Sequence, residues 1–211
     1  MDHFHSLMIF MAKLSRLSSD SMAEDADFQL IKTKAFQISS DLREWWGNRP
    51  PGLRDQRNDW RRQLWPRKLT EIETLQQEAF SSTKSCMYGC VIYLHHILDP
   101  SGREGQNSEV TNAISQILEI AQEIPRGYGL EMSHYWSLFM VGISVFNDNA
   151  KEEFLRQKLM SDPRVSIYVS ISYPKKGFCL TNLYSTLIVL SNFSNFSGDG
   201  NIIINASTTG E

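Results

Sequence analysis

Between residues 4 and 159 the apolar positions of this chain recur three and four apart, the spacing of a single buried stripe along an α-helix. The first run, over 3–17, places Phe4, Leu7, Met8, Met11, Leu14 and Leu17 on one side. A second helix is expected over 23–45 with Ile31, Ala35, Ile38, Leu42 and Trp45 inward. It stops at GNRPPG, where Gly47, Pro50, Pro51 and Gly52 forbid continuation. The stretch LRDQRNDWRRQLW sets Leu53, Trp60 and Leu64 on one side of a short helix that Pro66 breaks. A long helix is expected over 68–98, its stripe formed by Leu69, Ile72, Leu75, Ala79, Cys86, Cys90, Leu94 and Ile97, with one drift near Thr83. Beyond the turn-rich DPSGREGQ, Asn107 or Ser108 can cap a further helix, and Glu109 suits its positive end. Its stripe is Val110, Ala113, Ile114, Ile117, Leu118, Ala121 and Ile124, and PRGYG ends it.

The segment 135–148, YWSLFMVGISVFND, departs from this alternation because it is apolar on every side. It falls short of the roughly 20 apolar residues that a bilayer crossing needs. It reads instead as a central buried helix over about 131–147, with Ser133 able to cap it. Gly142 inside it costs about 1 kcal/mol in helix propensity, which a neighbouring helix crossing close against it would explain. Asn149, with Glu152 three residues later, forms a capping box for a short helix carrying Phe154, Leu155 and Leu159. The expected fold is therefore all-α, a multi-helix array around the central apolar helix. After Asp162 the text changes: VSIYVSISYP is β-branched and Ser-rich, and a Ser/Asn-rich tail with LIVL and NIII follows. There the helical period is lost, and a short β-hairpin with an irregular tail is one reading.

A chain of 211 residues with 41% apolar and 21% charged residues is globular in composition and long enough for one domain and a tail. The net charge of −3 makes it no electrostatic match for a phosphate backbone. Its three cysteines, Cys86, Cys90 and Cys179, are too few for a disulfide framework and fit an intracellular, reducing compartment. The apolar N-terminal run has no basic region ahead of it, and Lys13 and Arg16 fall on the wrong side for a signal peptide. The sequons at Asn192, Asn195 and Asn205 arise readily by chance in Asn- and Ser-rich text.

Candidate chemistry is sparse. Cys86, Cys90, His95 and His96 suggest zinc, yet at 100° per residue His95 points opposite Cys86, and one helix cannot bring all four to one ion. Structural thiols and packing histidines are the expectation. His3 and His5 sit at the N-terminus, and His134 beside Tyr135 is either a boundary histidine or part of a ligand pocket. No GxSxG, HExxH, P-loop or GxGxxG occurs, so no catalytic residue is indicated. Arg54, Arg57, Arg61, Arg62, Arg67 and Lys68 interleave with Trp60 and Trp65, a pattern that binds single strands in other settings. Here Asp55 and Asp59 interrupt it, and a solvated helix face is expected, usable as a partner or nuclear-import surface.

Taken in order, LMIFMAKLSRL, AFQISSDLREWW, SCMYGCVIYLHHIL, NAISQILEIAQEI and YWSLFMVGISVFNDNAKEEFLRQKL form a succession. It resembles the C-terminal regulatory domain of fungal zinc-cluster transcription factors over roughly 4–162. In the last segment that family typically reads Trp-Pro-Leu-Phe, two small or apolar residues, Gly, and a charged tail helix with an Arg. Trp136, Leu138, Phe139, Gly142 and Arg156 fit, while Ser137 stands where proline is usual and Val145 where alanine is. These are core positions, so the resemblance carries over no catalytic site.

The resemblance implies a non-enzymatic, nuclear regulatory region that restrains or relays activation and contacts protein partners, with no membrane role and no nameable small-molecule effector. The family's zinc sits in an N-terminal six-cysteine cluster that three scattered cysteines cannot build. Zinc is thus expected only outside this chain, and direct DNA binding is not expected. On this reading residues 1–164 are a partial, truncated regulatory domain, whose cut core should expose apolar surface and aggregate. Residues 165–211 are expected to be read-through of an unspliced intron. Val169-Ser170 can be encoded GTAAGT, Leu180-Thr181 can read CTAAC, and Tyr184-Ser185 can supply CAG, with a genuine variable tail as the alternative. Two other readings stand beside this one: a free-standing α-helical protein-interaction module with no DNA role, and a helical small-molecule binder with a pocket near His134 and Trp136.

Overall fold

The side chain of Asp27 decides where the second helix begins. It accepts hydrogen bonds from the backbone N–H groups of Gln29 (2.9 Å) and Leu30 (3.2 Å), satisfying two donors that have no partner inside the helix. The expected start near residue 23 is therefore corrected to Phe28. The computed structural model describes residues 3–58, 68–100, 105–123, 132–145 and 148–160, all within the compact unit Met1–Ser170. The expected hairpin and the tail over 165–211 lie outside the described residues, as do Trp60, Leu64 and Trp65.

Among the described residues the fold is all-α, with no strand. The helices are α1 (His3–Ser21), α2 (Phe28–Gly47), a 3-10 turn (Gln56–Asn58), α3 (Glu71–Leu98), α4 (Ser108–Glu123), α5 (Met132–Gly142) and α6 (Asn149–Met160). The starts of α2, α3, α4 and α6 follow local capping. Thr70 and Glu73 make a full capping box at α3, the Thr70 hydroxyl accepting from Glu73 N–H while the Glu73 carboxylate accepts from Thr70 N–H. Asn107 Oδ1 accepts from Val110 N–H at 2.9 Å, so Asn107 rather than Ser108 caps α4. Asp148 Oδ1 accepts from Lys151 N–H at 3.1 Å, which moves the cap of α6 one residue ahead of the expected Asn149. Ser133 lies inside α5 instead of capping it.

The buried stripes largely follow the period. On α2, Ile31, Ala35, Ile38 and Leu42 are buried as expected, and Trp45 is half-buried. On α1, Leu7, Leu14 and Leu17 are buried, but Phe10 faces inward and Met8 does not. On α4, Ile120 joins the buried face while Leu118 is only half-buried, and Ile124 lies outside the described residues. The largest departure is at the start of α3, where Ile72 and Leu75 are 69% and 59% exposed. With 28 residues, α3 is about 42 Å long and outruns partners of at most 20 residues. Its first turns therefore carry apolar residues at helical spacing that no other described helix covers.

That length also makes α3 the element on which the fold is assembled. It packs against α1, α2, the 3-10 turn, α4 and α5, whereas α5 meets α3, α4 and α6. The segment expected to be the hub is buried nearly all round, Phe139 alone being half-exposed from His134 to Gly142, but it is short and ends at Gly142. Ile143 and Ser144 continue as a turn, with Ser144 N–H donating to Val141 carbonyl at 2.9 Å. The hub is thus α3, and α5 is the apolar helix laid on it. An aromatic row, Phe10, Trp45, Trp46 and Phe80, with successive ring centroids 5.8, 6.0 and 5.9 Å apart, joins α1, α2 and α3.

Candidate functional site

The crossing of α5 over α3 is set by a glycine, but not the one expected. Gly142 is the last residue of α5, so no helix interior needs explaining there. Gly89 on α3 is where the Trp136 ring of α5 lies against the helix backbone. A Cβ added at Gly89 would lie 2.8 Å from Cε3 of Trp136 and closer still to Cζ3. Trp136 also meets Tyr93 edge to face, centroids 6.3 Å apart. Its Nε1 is buried with no hydrogen-bond partner, so the indole is held by packing. Leu138 is buried on the same helix and Phe139 is half-buried, whereas Arg156 is exposed on α6 and bonds Glu153 one turn back. The five motif residues therefore do not converge on one site. Four belong to α5, and Arg156 belongs to the surface.

The basic stretch is only partly described, because Arg61, Arg62 and Arg67 lie outside the described residues. Arg54 and Lys68 are exposed. Arg57 is engaged within the fold: its Nε donates to Asp55 Oδ1 at 3.0 Å and its Nη1 pairs with Glu123 at the end of α4. Partial burial pushes the Asp55 carboxyl up, yet hydrogen bonds from Arg57 outweigh it and leave the group below the usual carboxylate range. The Asp55 bond likewise raises the Arg57 guanidinium. Gln56 N–H donates to Gln77 Oε1 at 2.7 Å, seating this turn on α3. Arg57 thus fastens the loop to α4, and its charge is already compensated.

His134, which is buried, and His96, which is half-buried, are both neutral at pH 7. Burial lowers His134 to about 4. His96 is also lowered to about 4, by burial first and by His95 second, with Asp99 opposing. The Ser144 hydroxyl donates to Met140 carbonyl at 2.8 Å, so the 2.8 Å contact with His96 is filled by the His96 Nε2–H as donor. Gln106 Nε2 donates to Ser144 carbonyl. The His96 bond ties the turn after α5 to the last turn of α3, and the Gln106 bond ties it to the segment ahead of α4. Cys86 and Cys90 are buried and in no disulfide, and His95 and His96 are half-buried, their ring centroids 6.1 Å apart. Among the described residues no three His, Cys, Asp or Glu side chains are placed to hold a metal ion. No described helix is long and apolar enough to cross a membrane.

The described surface has one concavity that the sequence pattern did not single out. A groove of about 430 Å³ runs between α2, α3 and α4, with Phe36, Trp46, Tyr88, Val91 and His95 among its walls. Arg43 spans it at one rim, Nη2 donating to both carboxylate oxygens of Glu109 at 2.9 Å. Phe36, 61% exposed and off the α2 stripe, was the available signal. His134 and Trp136 are not among its lining residues.

A family model described as the fungal specific transcription factor domain matches residues 3–164. No curated protein and no solved structure gives a significant match.

Proposed function

Because the chain belongs to the fungal specific transcription factor domain family, we propose that its helical array is the regulatory region of a transcription regulator, nuclear and non-enzymatic. It acts by contacting protein partners and relaying or restraining activation. The observation that carries this reading is the extent of the family match, which takes in every described helix from α1 to α6. The physical setting supports it. The chain's net charge is −3 and Arg57 is internally paired, so sequence-specific DNA contact falls to another part of a regulator, where zinc of the family's cluster would also reside. No catalytic residue and no cofactor belong to this function in the helical array.

The test is to fuse the full chain to a heterologous DNA-binding domain in a fungal host and read a reporter placed behind its sites. Reporter output should change severalfold relative to the DNA-binding domain alone, and the untethered chain should accumulate in the nucleus. Output equal to that of the bare DNA-binding domain would sink the proposal.

A further inference from the structure

Three sulfur-bearing side chains gather where α1 packs on α3. Cys86 and Cys90 stand one helical turn apart on the same face of α3. Neither is in a disulfide, and both are fully buried. From the other helix, Met11 brings its Sδ to 3.5 Å from Cys86 Sγ. Met11 is only half-buried.

We propose that Met11, Cys86 and Cys90 form a binding site for a single soft monovalent cation, Cu(I). Ligand chemistry selects the ion. Thiolate and thioether sulfur favour Cu(I) over harder cations, calcium and magnesium demand oxygen, and zinc takes four ligands, almost never a thioether. Spacing agrees. Three sulfurs around one ion at bonds of about 2.3 Å lie roughly 4 Å apart, close to the 3.5 Å between Met11 and Cys86. Methionine's three rotatable bonds allow the remaining adjustment. Burial pushes the Cys90 thiol up, because a thiolate is costly to hold in an apolar core. On ligation each coordinating thiol releases its proton to solvent and gives its sulfur electron pair to copper. Copper remains Cu(I), and nothing is oxidised or reduced. The bound ion would bridge α1 and α3 and would stabilise the folded chain in proportion to its affinity.

Anaerobic titration of the full chain with Cu(I), in competition with a chromophoric Cu(I) chelator, tests this. The Cys179→Ser background removes the other thiol. One equivalent should bind, with proton release and a rise in Tm. Cys86→Ala and Cys90→Ala should each abolish binding. Because those changes also disturb the core, Met11→Leu is decisive. It preserves volume and both thiols, and should weaken binding by about tenfold or more with an unchanged circular dichroism spectrum. Absence of Cu(I) binding in the Cys179→Ser protein, or equal affinity in Met11→Leu, would overturn the three-sulfur site.

Discussion

Gly89 and Trp136 show what one missing side chain contributes. Alanine in a helix is ordinarily favoured over glycine by about 1 kcal/mol, but here the methyl group would enter the indole ring. Overpacking of this kind costs about 1–3 kcal/mol, so Gly89→Ala should lower the urea midpoint despite its better propensity. Adding Trp136→Leu should recover part of the loss, because the second change removes the obstructing ring. A Gly89→Ala protein more stable than its parent would show that the ring simply moves aside. His134 and His96 make a separate prediction. Their folded values of about 4 lie below the ordinary 6.5, so the unfolded chain binds more protons between those limits. Stability is then fully present above pH 6.5 and is lost as pH falls toward 4, by up to about 3 kcal/mol per histidine. Denaturation midpoints measured from pH 7 to 4.5 should fall, and His134→Gln should flatten the slope. At this scale the sequence was half legible. A glycine-aided helix crossing was foreseen, but it was placed at Gly142, because an apolar segment advertises its own glycine while Gly89 sits unremarked between Tyr88 and Cys90 in an ordinary stripe.

At the scale of elements, periodicity found every described α-helix, because burying one face against a neighbour imposes the three-four spacing. It could not find the ends. Those depend on single hydrogen bonds, and the Thr70–Glu73 box, the Asp27 cap and the Asp148 cap were each passed over or set a residue off. Thr70→Ala should therefore destabilise the chain by about 1 kcal/mol, read as a shift in the thermal midpoint. Replacing Ile72, exposed two residues beyond the cap, by Lys should cost little, although its spacing suggested a core position. A large loss from Ile72→Lys together with none from Thr70→Ala would reverse this description of how α3 begins. The groove between α2, α3 and α4 was illegible for a different reason. Concavity arises from the packing of three helices distant in sequence, and no stripe on any one of them records it.

For the molecule as a whole, the hub is the long helix, and the all-apolar one is its guest. The sequence suggested the reverse because hydrophobicity measures how deeply a segment is buried, whereas reach decides how many partners it can hold. The helix α3 is long enough to receive α1, α2, α4 and α5 along its length, so disturbing its crossing with α5 should unsettle the fold far beyond the contact itself. The regulatory role proposed above follows the family across this whole array and not a catalytic constellation. Regulatory output should then depend on the array being folded. The most direct measurement is the tethered-reporter response of the full chain compared among the parent, Trp136→Ala and Arg156→Ala. Trp136→Ala removes the ring packed on Gly89 and should cost about 3–5 kcal/mol, whereas Arg156→Ala breaks only an exposed pair worth at most about 1 kcal/mol. This dependence on the folded array requires the response to collapse with Trp136→Ala and to persist with Arg156→Ala at equal protein levels. A response unchanged by Trp136→Ala, in a chain shown by circular dichroism to have lost its helices, would contradict it.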